Sequence, residues 1–130
     1  MFARFKDLFE TKQKLVQLSH IRNLVVLGFS DGEASPNAKA FIAGRALRAG
    51  LTEVDVARIV SKPASLGFYV PESFDERLAQ LCELVGLMVQ LGNINGPGIS
   101  FCEAVAARFG MRDASGMVQA LIAVATRKTY

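Results

Sequence analysis

The chain has 130 residues, of which 51% are hydrophobic and 21% charged, and this balance excludes an intrinsically disordered protein. The length suits one domain, which we expect to cover residues 1–130. The net charge of +3 is small and its basic and acidic residues are interspersed, which argues against a nucleic-acid-binding protein.

The first predicted element is an amphipathic helix over residues 2–18. Phe2, Phe5 and Phe9 fall on one side of it and basic residues fall elsewhere. Two interpretations stay open: the helix docks on the core, or it lies on a membrane surface or partner with these three phenylalanines as the contact. We favour docking, because the apolar stripe is short and acidic residues dilute the positive face.

Two further helices follow in the first half of the chain. One covers residues 20–31, and Gly32 is a natural left-handed end for it. Ser35 as N-cap and Pro36 at the first helical position predict the next helix, which runs to about residue 49.

Four helices remain. Three are predicted over residues 52–60, 99–109 and 113–127, and the fourth begins at a capping box formed by Ser73 and Glu76. The helix that begins at the capping box runs until a cluster rich in glycine, asparagine and proline. No strand alternation is evident, so the sequence predicts an all-α bundle of about six to seven helices.

The longest predicted loop covers residues 62–72. It contains Phe68, Tyr69 and Val70, which are too apolar for a loop that only faces water. We therefore expect these residues to pack back onto the helices.

An internal repeat appears when the sequence is shifted by 60 positions. Apolar residues then meet apolar residues, and glycines meet glycines. The matching pairs include Leu24 with Leu84, Val25 with Val85, Leu27 with Leu87, Gly32 with Gly92, Phe41 with Phe101, Arg48 with Arg108 and Gly50 with Gly110. We predict two helical units packed about a pseudo-twofold axis.

Residues that could carry chemistry are few. Cys82 and Cys102 lack a metal or redox spacing and are predicted to be buried, reduced thiols. His20, the single histidine, is expected to be solvent-exposed or to cap a helix. No serine or cysteine has a recognisable catalytic partner, so we expect a protein that is not an enzyme.

No apolar run approaches the roughly 18–20 residues of a membrane-spanning helix. The charged N-terminal segment also lacks the apolar core of a secretory signal. A cytoplasmic protein is therefore expected, with peripheral membrane association as the alternative location.

An acidic turn is the most distinctive motif. Asp31 lies in the last turn of a predicted helix, where the helix dipole disfavours an acid by about 0.3–1 kcal/mol. The start of the next helix, a basic side chain such as Lys39 or Arg45, or a divalent cation held by Asp31 and Glu33 would each offset this cost. We prefer a structural turn, because the alternating acids of a calcium-binding loop are absent.

The residues around this turn carry a family resemblance. The run Leu24–Pro36, with its Asp-Gly-Glu and Ser-Pro, and the following segment 41–51 resemble the TerB-like domain of tellurite-resistance proteins and the related N-terminal domain of the DjlA co-chaperones. The resemblance covers about residues 20–111 and leaves residues 1–19 as an N-terminal amphipathic helix and residues 112–130 as a C-terminal helix. It implies an all-helical domain with two repeated halves.

The resemblance also implies a role in stress response and metal binding through clustered acids. Asp31 and Glu33 match that cluster, and Glu103 is a further ligand candidate across the pseudo-twofold axis. The chain departs from the family at Asn37, where an acid is common, and in the second repeat, whose turn has no acid.

These observations lead to three expectations about function. The first is a non-enzymatic, TerB-like stress-response module that acts through an unknown protein partner, as a monomer or homodimer. The second is divalent-cation binding at Asp31 and Glu33, with no other cofactor. The third is membrane association through the N-terminal helix.

Overall fold

Six α-helices make up most of the computed structural model, which describes residues 2–29, 35–92 and 94–127. They are α1 (Phe2–Gly28), α2 (Pro36–Arg48), α3 (Glu53–Ser61), α4 (Phe74–Gln90), α5 (Gly96–Arg108) and α6 (Ala114–Arg127), with a 3-10 turn at Pro63–Ser65. These residues contain no strand, so the predicted all-α class is confirmed. No helix among them is long and apolar enough to cross a membrane.

Helix α1 is longer than predicted. The sequence predicted a break between residues 18 and 20, but α1 continues through this region without interruption, and the predicted break is wrong. The junction contains no glycine or proline that would interrupt a helix. Its two polar residues are instead buried, with Ser19 1% and His20 2% exposed. The break was predicted wrongly because Ser19 and His20 are polar residues, which are common in surface turns.

Side-chain caps set the starts of the other helices. Ser35 Oγ accepts a hydrogen bond from Ala38 N at 3.2 Å, as the sequence predicts. Thr52 and Asp55 form a complete capping box, with bonds of 3.2 and 3.0 Å. Helix α5 begins at Gly96, three residues before the predicted start at 99, because Asn95 Oδ1 accepts from Gly98 N at 2.9 Å.

The repeat is visible in the backbone. Helices α2 and α5 begin and end 60 residues apart. Each ends at a glycine with positive φ, +79° at Gly50 and +82° at Gly110. The residue after each glycine donates its N–H to the carbonyl five residues earlier, at 3.0 Å from Leu51 and 3.1 Å from Met111. The predicted duplication is thus reproduced in helix boundaries and helix ends.

The two repeats meet along α1 and α4, which pack against each other at the centre. Repeat one adds α2 and α3 to α1, and repeat two adds α5 and α6 to α4. Leu24 and Leu27 of α1 and their equivalents Leu84 and Leu87 of α4 are at most 2% exposed. Burying a leucine contributes about 1.5–3 kcal/mol, so these matched positions form a major part of the core.

The segment that joins the repeats is fastened to α1. Tyr69 N donates to Ser19 Oγ at 2.9 Å, and Arg22 Nη1 donates to Leu66 O at 2.9 Å. Phe68 packs against Phe109, with 5.7 Å between the two ring centroids, and this contact confirms that this part of the loop returns to the bundle. The prediction is wrong for Tyr69 and Val70, whose side chains are exposed.

Candidate functional site

The acidic turn lies outside the described residues, so Asp31 and Glu33 remain predictions. The side chains of Phe2, Phe5 and Phe9 also lie outside the described part of the chain, although their backbone belongs to α1. Across the residues that are described, no group of three or more histidine, cysteine, aspartate or glutamate side chains could hold a metal ion.

A cluster of three ionisable residues joins three helices. His20 Nε2 on α1 lies 2.9 Å from Glu83 Oε1 on α4. Arg45 Nε on α2 donates to both oxygens of the Glu83 carboxylate, at 2.8 and 2.6 Å. The expectation that His20 is exposed or caps a helix is wrong, because its side chain is 1% exposed and paired with a residue 63 positions away.

This cluster is a structural link. Burial opposes ionisation of Glu83, but the hydrogen bonds from His20 and Arg45 and their charges favour the carboxylate, and the pKa of Glu83 lies below its ordinary value. The carboxylate therefore stays charged at neutral pH and holds α2 to α4. Both of its oxygens already accept hydrogen bonds, which is the arrangement of a fixed ion pair.

The two cysteines occupy different environments. Cys102 is buried, as predicted, and its Sγ lies 3.9 Å from Met88 Sδ. The prediction is wrong for Cys82, which lies at the surface. The apolar neighbours of Cys82 in sequence suggested a buried position, but this residue faces away from the core on α4. The two thiols are not joined in a disulfide.

An open apolar groove between α2 and α3 is the strongest candidate for a functional surface. Its main part has a volume of about 390 Å³, and an adjoining part of about 350 Å³ extends it toward the end of α1. The main part is lined by Ala43, Ala46, Leu47, Leu51, Thr52, Glu53, Val56, Ala57 and Val60. The adjoining part shares Ala43, Val56 and Val60 and adds Phe29, Lys39 and Ile42.

The groove exists because the repeats are closed differently. In repeat two, α6 packs against both α4 and α5. In repeat one, α3 is shorter and packs against α1 and the 3-10 turn at Pro63–Ser65. The side of α3 that faces α2 is therefore left with apolar residues at the surface, and the repeat that the sequence shows does not predict this difference.

Two large apolar side chains border the groove and face solvent. Leu47 on α2 is 72% exposed, and Val60 on α3 is 41% exposed. The residue equivalent to Leu47 in repeat two is the smaller Ala107. Continuous apolar surface of this kind, with polar Lys39 and Glu53 at its margins, is typical of a surface that binds a protein segment.

Sequence reasoning did not find this groove. The apolar positions of α3 fit a short amphipathic helix, and each one was consistent with packing against the rest of the bundle. The signal that could have found it is the replacement of Leu47 by Ala107 at equivalent positions. Comparison of the chain with protein-family models, with curated proteins and with solved structures gives no match.

Proposed function

We propose that this protein is a non-enzymatic interaction module that receives an apolar helix of a protein partner in the groove between α2 and α3. The observation that carries this proposal is the exposure of Leu47 and Val60 on opposite sides of one continuous apolar groove. Such exposure costs solvation free energy that a partner would recover by covering the groove. The resemblance of the acidic turn to TerB-like domains supports a role in stress response as part of this proposal.

The shape of the groove supports a helical partner. Two helices form its walls, and the main and adjoining parts share three residues, so the apolar surface is continuous along them. A helix presents apolar side chains at intervals of three and four residues, and such an apolar face can cover a continuous apolar groove. The ion pair between Arg45 and Glu83 fixes α2, so one wall of the groove is held in place before binding.

Site-specific photo-cross-linking in the native host tests this function. Leu47 is replaced by p-benzoylphenylalanine, and the matched control carries the same group at Phe74, which is 52% exposed and lies outside the groove. We expect one discrete protein adduct from position 47 and none of that mass from position 74. An adduct common to both positions, or none from position 47, would contradict the proposal.

A pair of aspartate variants distinguishes binding in the groove from nonspecific contact with an exposed residue. Val60→Asp places a charge in the groove and should abolish the adduct at position 47. Val124→Asp is the control, since Val124 is 55% exposed on α6 and lies outside this groove. Loss of the adduct in both variants would indicate a nonspecific contact.

The two alternative functions have direct tests. Divalent-cation binding at Asp31 and Glu33 predicts a saturable heat with calcium or magnesium that Asp31→Ala removes. Membrane association through Phe2, Phe5 and Phe9 predicts co-sedimentation with anionic vesicles that a triple serine variant loses. Equal results for the variant and the original chain exclude the corresponding alternative.

A further inference from the structure

A separate cavity of about 350 Å³ lies between α1, the 3-10 turn and α5. Its walls are apolar and include Val26 from α1 and Phe101 and Val105 from α5. Arg22 from α1 and Arg108 from α5 also line it. The cavity therefore combines a hydrocarbon-like interior with two guanidinium groups.

Both arginines lie against the ring of Phe68. Arg108 Cζ is 3.9 Å from the ring centroid and Arg22 Cζ is 5.7 Å from it. Arg22 is held in place by donating to Leu66 O at 2.9 Å and to Asn23 Oδ1 at 3.2 Å. Within the described part of the chain, neither Arg22 nor Arg108 forms an ion pair with a carboxylate.

Two like charges thus lie at one site, and no carboxylate of the described residues pairs with either of them. Both guanidinium carbons lie within 5.7 Å of the centroid of the Phe68 ring, and burial together with the positive charge of Arg108 lowers the pKa of Arg22. An anion between the two groups would replace this repulsion with two charge-assisted hydrogen-bonding partners. Arginine is well suited to this role because its planar group binds carboxylate and phosphate oxygens in pairs.

The repeat explains why the described residues that line this cavity include no carboxylate. Asn23 and Val105, which both line the cavity, are equivalent to Glu83 and Arg45, respectively, at a shift of 60 residues. Glu83 and Arg45 fill their position with an ion pair. At the cavity, Asn23 has an uncharged amide where Glu83 has a carboxylate, and Val105 has a short side chain where Arg45 has a long one. The shorter valine leaves open space, and the amide supplies no negative charge.

We propose that this cavity binds a small organic anion with an apolar body. The carboxylate or phosphate head of the ligand lies between Arg22 and Arg108, and its hydrocarbon or aromatic part packs against Val26, Phe101 and Val105. Apolar walls with a few convergent polar groups are the usual composition of a small-molecule site. This site is separate from the groove between α2 and α3 and does not depend on the function proposed for that groove.

Three eight-carbon probes test the proposal: octanoate, octyl phosphate and octanol. Each is titrated into the isotopically labelled full chain, and amide and arginine side-chain NMR shifts are followed. We expect saturable shifts at Val26, Phe68 and Arg108 with at least one of the two anions, and binding of octanol at least tenfold weaker. The tighter of the two anions identifies the preferred head group.

The variants are Arg108→Met and Arg48→Met. Methionine keeps the apolar stem of the arginine side chain. Because Arg108 is at the surface, the replacement leaves the core in place. Arg48 is its equivalent on α2 and serves as the matched control. We expect Arg108→Met to weaken anion binding by about tenfold to a hundredfold and Arg48→Met to leave it unchanged.

Several results would overturn the proposal. One is the absence of a saturable shift with either anion at 10 millimolar, which is roughly the weakest dissociation constant expected for so small a ligand. The others are octanol binding as tightly as the anions, and equal anion affinities for Arg108→Met and the original chain. Arg108→Lys provides a second check, because it keeps the charge without the planar donor pair and should bind more tightly than Arg108→Met.

Discussion

Arg45 and Val105 occupy equivalent positions in the two repeats, but only Arg45 reaches a carboxylate. Arg45 Nε lies 2.6 Å from Glu83 Oε2, whereas Val105 lines an apolar cavity together with Asn23, the equivalent of Glu83. The two repeats therefore meet at two equivalent sites, of which one holds an ion pair and the other is a cavity. The difference concerns two pairs of equivalent side chains, and one pair, Arg45 and Val105, lies on helices with the same boundaries, α2 and α5.

Replacing Glu83 with glutamine should destabilise the protein in a pH-dependent way. The pKa of Glu83 is below its ordinary value, so its contribution to stability is present above about pH 4.5 and is lost as the pH falls through the lower folded-state pKa. We expect Glu83→Gln to lower the free energy of unfolding by about 1–3 kcal/mol at pH 7. The difference from the original chain should narrow as the pH falls below that value.

Urea unfolding between pH 3 and pH 7 checks this, on a scale where a titrating group contributes about 1.4 kcal/mol per pKa unit. Glu103→Gln is the control, since Glu103 is a half-buried glutamate on α5 outside the cluster. A constant difference between Glu83→Gln and the original chain across this range would show that the charge of Glu83 does not contribute.

Replacing Gln80 with leucine should stabilise the protein. Gln80 is 3% exposed, and neither polar atom of its side chain has a hydrogen-bond partner within the described chain. Removing these buried polar atoms at similar volume should raise the free energy of unfolding by about 1–2 kcal/mol. Gln90→Leu, on the exposed side of the same helix, should change it by less than about 0.5 kcal/mol. Loss of stability in Gln80→Leu would contradict this account.

Alanine substitutions at three glycines should change stability with opposite signs. Gly50 and Gly110 have φ of +79° and +82°, and an added Cβ at either would meet no atom within 4 Å, so the effect there is purely one of backbone strain. Each substitution should cost about 1–2 kcal/mol. Gly86→Ala, inside α4 with the same open surroundings, should instead add about 0.5–1 kcal/mol. Thermal unfolding of the three variants measures the contrast, and equal signs would refute it.

The two thiols should differ in reactivity. Burial, together with the nearby charge of Glu103, raises the pKa of Cys102 to about 12, while Cys82 lies at the surface. An aromatic disulfide reagent at pH 8 should therefore modify Cys82 in the native protein and Cys102 only after unfolding. Cys82→Ser should remove the native reaction, and rapid modification of Cys102 in that variant would contradict its burial.

The raised pKa also predicts a loss of stability in alkali. The thiol of Cys102 ionises near its ordinary pKa of 9.0 in the unfolded chain but only near 12 in the folded one. Stability should thus fall as the pH rises between these values, and Cys102→Ala should lack this part of the decline. Urea unfolding at pH 8 and pH 10, about one unit on each side of the unfolded-state pKa, makes the comparison.

Local features of this fold could be predicted from sequence, because each depends on residues within one turn. Ser35 and Thr52 cap helices as predicted, and Gly50 and Gly110 end them. The position of His20 could not be predicted, because its burial depends on Glu83 in the other repeat.

The difference between Leu47 and Ala107 marks α2 as unlike α5, but the position of the groove could not be predicted, for a related reason. Whether α3 covers α2 depends on how both pack on α1, and no spacing within α2 or α3 encodes that arrangement. The acidic residues Asp31 and Glu33, singled out by their motif, stay a prediction.

The shared boundaries of α2 and α5 have a consequence for symmetry. A chain of one repeat would expose the face of α1 that here packs on α4, and two identical copies would bury it against each other as a symmetric dimer. In such a dimer every site occurs twice, so an ion pair on one side would require the same ion pair on the other. A single chain that contains both repeats is free of that constraint, so one of the two equivalent sites can hold a fixed ion pair while the other forms a cavity.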